Sequence, residues 1–366
     1  SSQQPTIWTD YPAFTIMAAS SSHKEGGTCM RSRFIFTAVS IAVVLALLPI
    51  IGAAAPPDER GGKDLEALAQ KLVNQCAAIH ESDNVIVSGG VRDLELLENI
   101  AVHVRKAGAF PMLTISSDRM TRRMFKDVPE TYDTQSPDFA MKMASIITAQ
   151  INVEDSETPG LLADVPPERF TARAKMFQPV TDLIMKRNVK QVYVGNGLYP
   201  TAALAAQFGV AQHELSEMFW AGVNVDYTKL QATGNVVTRA FTSGKEVHIT
   251  NPNGTDIKFR IESRPVFVSD GVISVDDIKR GGAACQVWLP AGEVYLTVVP
   301  GTAEGKVVED RNFFQGKEIV GLTLTFKAGK VTSMTAKSGL EPIKEAYDAA
   351  SGPKDQFAFV DVGINP

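Results

Sequence analysis

Asn84-Val85-Ile86-Val87-Ser88-Gly89-Gly90 and Pro111-Met112-Leu113-Thr114-Ile115 enclose the stretch that decides the fold. Both are short apolar runs. Between them Leu94, Leu97, Ile100, Ala101 and Val104 recur at helical spacing, and the pattern stops at Lys106-Ala107-Gly108, with a glycine where a helix C-terminus favours one. Strand, helix and strand within about thirty residues form a βαβ unit, so a parallel sheet is expected. Upstream, Asp64 has the character of an N-cap, and Leu65, Leu68, Ala69, Leu72, Val73 and Cys76 follow at helical spacing. Gly89-Gly90 lacks the G-x-G-x-x-G spacing and no P-loop lysine follows, which argues against a dinucleotide or nucleotide site.

Toward the C-terminus, residues 118–175 mix charged helical turns with Pro-bearing loops. A helix around Phe177–Met185 leads to a third strand at Val189–Val194, and further helices carry Ala203, Leu204 and Phe208, then His213–Trp220. From Val236 the texture changes to short alternating runs. Glu246–Thr250 and Asp256–Ile261 flank the turn Asn251-Pro252-Asn253-Gly254 as a hairpin, and Ile319–Lys327 and Lys330–Ala336 flank Ala328-Gly329 as another. Further strands are expected at Cys285–Leu289, Glu293–Val299 and Phe357–Val362, with a helix over Gly339–Ala350. The expected fold class is therefore an α/β N-terminal domain with a parallel sheet over 63–235, followed by a β-rich α+β C-terminal domain over 236–366.

The 366 residues carry a net charge of -5 with 21% charged and 44% hydrophobic residues, ordinary for a globular protein. No basic run accompanies that charge, so nucleic acid is excluded as a partner. Met30-Arg31-Ser32-Arg33, the apolar run Phe34–Ile51 and Gly52-Ala53-Ala54-Ala55 are the three parts of a secretory signal peptide. Residues 1–29 are read as an upstream extension without structure, 30–55 as a cleaved signal, and the protein as secreted or periplasmic, with no membrane association after cleavage. An uncleaved anchor is the competing reading. Outside these segments the cysteines are Cys76 and Cys285, too few and too far apart for a disulfide framework; they are read as a pair or as buried free thiols.

The stretch richest in chemistry is Trp288-Leu289-Pro290-Ala291-Gly292-Glu293-Val294-Tyr295. Pro fixes φ and Gly permits unusual φ, so the corner gives Glu293 a set direction at the mouth of a strand. An acid placed so serves as a metal ligand, as a general base or simply as a solvated strand-edge residue. His213-Glu214 has no second histidine four positions on, so the H-E-x-x-H zinc motif is absent; His80, His103 and His213 are read as surface or packing residues.

Gly254-Thr255-Asp256, the block Leu289-Pro290-Ala291-Gly292-Glu293-Val294 and the closing Gly363-x-Asn365-Pro366, in this order, resemble the thermophilic metalloprotease family, which contains the aminopeptidases T and S. Tyr199-Pro200 through Phe219-Trp220 and Asp226 are similar to that family's domain junction. The resemblance implies a dimeric aminopeptidase that uses two divalent ions (Zn, Co or Mn) to remove N-terminal residues from peptides. It makes Glu293 a metal ligand. Aligned without gaps on G-x-N-P, the family's second acid falls on Phe359. Asp361, two positions on and on the same strand face, is the substitute. The family's histidines, including an H-x-D motif, follow G-x-N-P, and this sequence ends at Pro366, so the second domain is expected to be a truncated catalytic-type domain without turnover of its own. The alternative is a non-catalytic relative that binds a peptide or small molecule.

Overall fold

The computed structural model describes residues 64–314, 317–350 and 352–366; the upstream extension and the expected signal peptide over 30–55 lie outside the described residues. In chain order the strands are β1 (Asn84–Gly90), β2 (Phe110–Ser116), β3 (Ala149–Val153), β4 (Lys190–Val194), β5 (Glu246–Thr250), β6 (Asp256–Arg260), β7 (Val266–Ser269), β8 (Gln286–Leu289), β9 (Glu293–Thr297), β10 (Glu304–Phe314), β11 (Lys317–Lys327), β12 (Lys330–Thr335) and β13 (Phe359–Gly363).

The βαβ expectation holds. β1 and β2 are parallel neighbours, connected through the helix Leu94–Lys106. The parallel sheet has the order β2-β1-β3-β4-β8, a doubly wound arrangement. Its Val85, Val87, Ile151, Val153, Val192, Val194, Val287 and Leu289 project to one face, where they bury against Leu65, Leu68, Leu96, Leu97, Ile100 and Val104 of two helices and Phe219 and Trp220 of a third. Alternation along each strand places all of the sheet residues of this core on the same side.

The sequence reading differs from the structure at β3, at the placement of β8, at the unexpected strands β7 and β10, and at the boundary near Val236. It assigned no strand between Ile115 and Val189, yet β3 lies at the centre of the sheet, paired with β1 and β4, so Val189–Val194 supplies the fourth strand rather than the third. Ala-Gln-Ile-Asn-Val alternates, and its polar half goes to the face that this core leaves bare. The strand at Gln286–Leu289, grouped by texture with the second region, adds in parallel to β4 as the sheet's fifth member. The chain therefore returns to the first sheet immediately before the Pro-Ala-Gly corner. The change of texture read at Val236 falls inside a helix, Tyr227–Ser243, capped by the Asp226 carboxylate, which accepts from Thr228 N at 3.0 Å and Lys229 N at 3.2 Å.

The remaining strands form two antiparallel sheets, β12-β11-β10-β6-β5 and β13-β9-β7. Both expected hairpins are present, β5 with β6 and β11 with β12. Ile257, Phe259, Leu296, Val298, Ile319, Leu322, Leu324, Phe326 and Val360 make the second core. The fold is thus a parallel α/β sheet followed by antiparallel sheets, as the class read from sequence. Cys76 and Cys285 are buried free thiols, and burial pushes the Cys76 thiol up to about 12. No helix among the described residues is long and apolar enough to cross a membrane.

Candidate functional site

The corner Leu289–Gly292 is held by the end of the chain. Gly292 has φ +129°, and a Cβ there would stand 2.7 Å from Cβ and 2.8 Å from N of Asn365, so no other residue fits the close approach without displacing backbone. Ile364 N donates to Gly292 O at 2.7 Å. Asn365 Nδ2 donates to Ala291 O and, at 3.0 Å, to Gly222 O on the helix Gln212–Val223. The two motifs quoted from distant parts of the sequence are therefore one unit, and its rigidity fixes where Glu293 emerges.

Glu293 opens β9, the central strand of the three-stranded sheet, opposite Ser269 of β7 and Gly363 of β13. Asp361 stands opposite Tyr295 and Phe359 opposite Thr297. Asp361 is thus the diagonal cross-strand neighbour of Glu293 on the same face, and Phe359 lies two further positions away. Of the two candidates for the second acid, the structure brings Asp361 to Glu293. Their carboxyls are within hydrogen-bonding reach of each other. Tyr295, stacked on Phe267 with ring centroids 5.4 Å apart, walls the same face.

The electrostatics of this pair are unusual. Burial first, and then the Asp361 carboxyl, push Glu293 up to about 7. Burial also raises Asp361, against a lowering by its hydrogen bonds with Glu293 and Val362 N. Asp361 is 8% exposed, and its Oδ1 is buried without a hydrogen-bond partner. Among the described residues neither acid forms an ion pair with a Lys, Arg or His. Two like carboxyls brought together in this way either share a proton or await a cation. An oxygen-only donor pair with an orphaned buried oxygen fits a divalent ion.

The histidines are elsewhere. His103 Nε2 lies 2.9 Å from Glu66, His248 Nε2 lies 2.8 Å from Asp256, and His80 Nδ1 contacts Ala78 O. His213 is exposed. Among the described residues no group of three or more His, Cys, Asp and Glu converges. The clamp role of Asn365 and Gly222 escaped the sequence reading. For Asn365 the signal was its place in the closing motif; for Gly222 there was none beyond its neighbourhood to Trp220.

The chain thus joins a parallel α/β sheet to antiparallel sheets and sets a cation-free acid pair at the mouth of a strand. Over residues 62–355 it matches the thermophilic metalloprotease (M29) family, and it belongs to that family. Membership makes it aminopeptidase-like, implies dependence on divalent metal and makes peptides the substrate class. Among solved structures it is similar to wild-type AmpT from Thermus thermophilus, with 19% identity, a TM-score of 0.61 and coverage of 82% of this chain and 77% of that one. A weaker likeness, with 10% identity and a TM-score of 0.48 over 81% and 75% of the two chains, is to 2,5-dihydroxypyridine dioxygenase from Pseudomonas putida KT2440. The likeness to AmpT is one of fold. No curated protein sequence matches the chain.

Proposed function

We propose that this is an aminopeptidase module in which Glu293 and Asp361 are carboxylate ligands of a divalent centre, one or two ions of Zn, Co or Mn. The observation that carries the reading is the buried Oδ1 of Asp361, unpartnered beside a second acid. Bound there, a divalent ion would supply Lewis acidity toward a peptide carbonyl and a more acidic water. The chain's own part is to hold the two carboxyls on adjacent strands, fixed by the Gly292–Asn365 clamp, and to limit water with the Phe267–Tyr295 stack. Two carboxylates are too few donors for a hydrolytic centre, so the 366-residue chain is expected to bind metal without turning over peptides.

The test is metal binding read by calorimetry and thermal unfolding. Zn²⁺, Co²⁺ or Mn²⁺ is expected to raise the unfolding temperature, as any ligand selective for the folded state must, and Glu293→Gln and Asp361→Asn are each expected to abolish the rise. Equal metal responses in wild type and both variants would remove the acids from the site. Hydrolysis of an amino-acid anilide by this chain, lost in Glu293→Gln, would overturn the expectation of inactivity. The second reading, a binding relative without catalysis, draws on Phe359 at the position of the family's acid and predicts no metal response. Secretion or periplasmic residence is proposed from the pattern of residues 30–55, and a protein isolated with Met30 still at its N-terminus excludes cleavage. A homodimer is proposed from family membership, with light scattering as its check.

A further inference from the structure

The parallel sheet has a second face, and it is built differently from the first. Thr114, Ser88, Asn152, Tyr193 and Trp288 stand in register across all five strands β2, β1, β3, β4 and β8, so they share one face. None belongs to the apolar core that seals the opposite face, and the helices between Asp118 and Lys186 contribute nothing to that core. Above the row lies a cleft of about 590 Å³, within the range of small-molecule sites. It sits at the carboxyl ends of β1 and β3, where the strand order reverses direction. That is the crevice in which doubly wound sheets bind ligands.

The cleft walls indicate what it would take. The Tyr193 and Trp288 rings stack at 4.3 Å and 15°, and the Tyr193 hydroxyl donates to Gln191 Oε1 at 2.6 Å, which holds the platform in place. In the row Tyr193 stands between Trp288 and Asn152, so the ring face turned toward the cleft is that of Tyr193, with Trp288 stacked behind it. Ser88 Oγ donates to Asn152 Oδ1 at 2.5 Å, which leaves the Asn152 amide hydrogens for a ligand acceptor. Glu154 and Asp155 supply acceptors; the Glu154 carboxylate takes Gly197 N–H at 3.0 Å. No described residue lining the cleft is Lys, Arg or His. Arg92, on the same loop, is spent on the Glu154 and Ser156 carbonyls, on Asp93 and on the face of the Tyr199 ring at 4.0 Å. A phosphate or carboxylate ligand would thus meet two acids and no cation, and an ammonium ligand would leave the hydroxyl and amide donors unmatched.

We propose that this cleft binds an uncharged, polyhydroxylated ring of the monosaccharide class, with its C–H face on the Trp288-backed ring of Tyr193 and its hydroxyls on Asn152 and the two acids. The site is separate from the Glu293–Asp361 pair and does not depend on the metal reading. The test uses the full chain with D-glucose, D-galactose and D-ribose as probes, and glucose 6-phosphate and benzylamine as charged comparators, read by calorimetry and tryptophan fluorescence. At least one sugar is expected to bind saturably, about tenfold or more weakly in Tyr193→Ala and in Asn152→Ala. Circular dichroism establishes that each variant is folded, and the metal response of Tyr193→Ala is expected to equal that of wild type. That separates failure here from failure of the metal centre. No saturable binding of any of the three sugars, binding indifferent to both variants, or preferential binding of either charged comparator overturns the proposal.

Discussion

Asp83 and Asp361 are both carboxylates drawn in beside a sheet, and they are treated in opposite ways. Asp83, at the amino end of β1, meets Lys190 Nζ at 2.8 Å, Thr148 Oγ1 at 2.6 Å and His80 N at 2.9 Å. Burial alone would raise its pKa, but the ammonium, the hydroxyl and the amide hold it below the usual carboxylate range. Asp361 has an acid for a neighbour and an oxygen with no partner, and burial raises it. Asp133 follows the first pattern, with Arg169 and Arg173 each 2.6 Å away. The difference separates two uses of an acid. Asp83 and Asp133 are supplied with their counter-charge by the fold, whereas Asp361 has none beside it, and on the proposed metal reading an ion would supply it.

The largest effect should come from making Asp83 resemble Asp361. Lys190→Met removes the ammonium and leaves the carboxylate partly buried, which is expected to destabilise the protein by roughly 2 kcal/mol, less than for a fully buried pair because Asp83 keeps some access to water. Urea unfolding at neutral pH measures it. A loss no larger than that of an exposed pair would mean the compensation at Asp83 is incidental.

The reverse change comes next. Without metal, Asp361→Asn replaces one of two repelling carboxyls with a neutral isostere and is expected to stabilise the chain by about 1 kcal/mol at pH 8. With saturating Zn²⁺ the sign should invert, because the variant gains nothing from the ion. Unfolding midpoints with and without metal decide this; a variant less stable than wild type in the absence of metal would show that the pair is not strained.

The pH dependence separates the two regions without a large change in structure. A raised acid binds more protons folded than unfolded, so its share of stability is present below the ordinary carboxylate pKa and is lost as pH rises toward about 7. The lowered Asp83 works the other way: its share is present above the unfolded pKa and is lost as pH falls through the folded one. Glu293→Gln is therefore expected to flatten the metal-free stability profile between about pH 5 and about pH 7. An unchanged profile would contradict the raised Glu293.

The same contrast explains which parts were legible in the sequence. Apolar runs and turn residues gave the βαβ unit, both hairpins and the fold class, because a sealed face leaves a periodic signature. β3 was missed because Gln150 and Asn152 face the unsealed side, so the alternation is half polar; the feature that hid the strand is the one that lines the cleft. The parallel docking of Gln286–Leu289 was not legible, since texture alone does not say which sheet a short strand joins. At the site, Pro290 and Gly292 pointed to Glu293 through backbone constraint. Asp361 was reached through its spacing of two from Phe359. That their carboxyls meet, and that no cation joins them, depends on cross-strand register, which no local pattern encodes.

The smallest expected effect calibrates the rest. Lys344 and Asp348 form an ion pair at 2.5 Å on the helix Glu341–Ala349, shorter than the Lys190–Asp83 contact, yet their side chains are 43% and 58% exposed. Distance is not what makes Asp83 matter. In water the two charges gain little from meeting, and the Lys-before-Asp order is the weaker one for an i,i+4 pair. Lys344→Gln is expected to change stability by no more than about 0.3 kcal/mol, and by less still in high salt. A loss comparable to that of Lys190→Met would show that charge pairing as such, rather than its burial, governs these acids, and it would withdraw the reason for singling out Asp361.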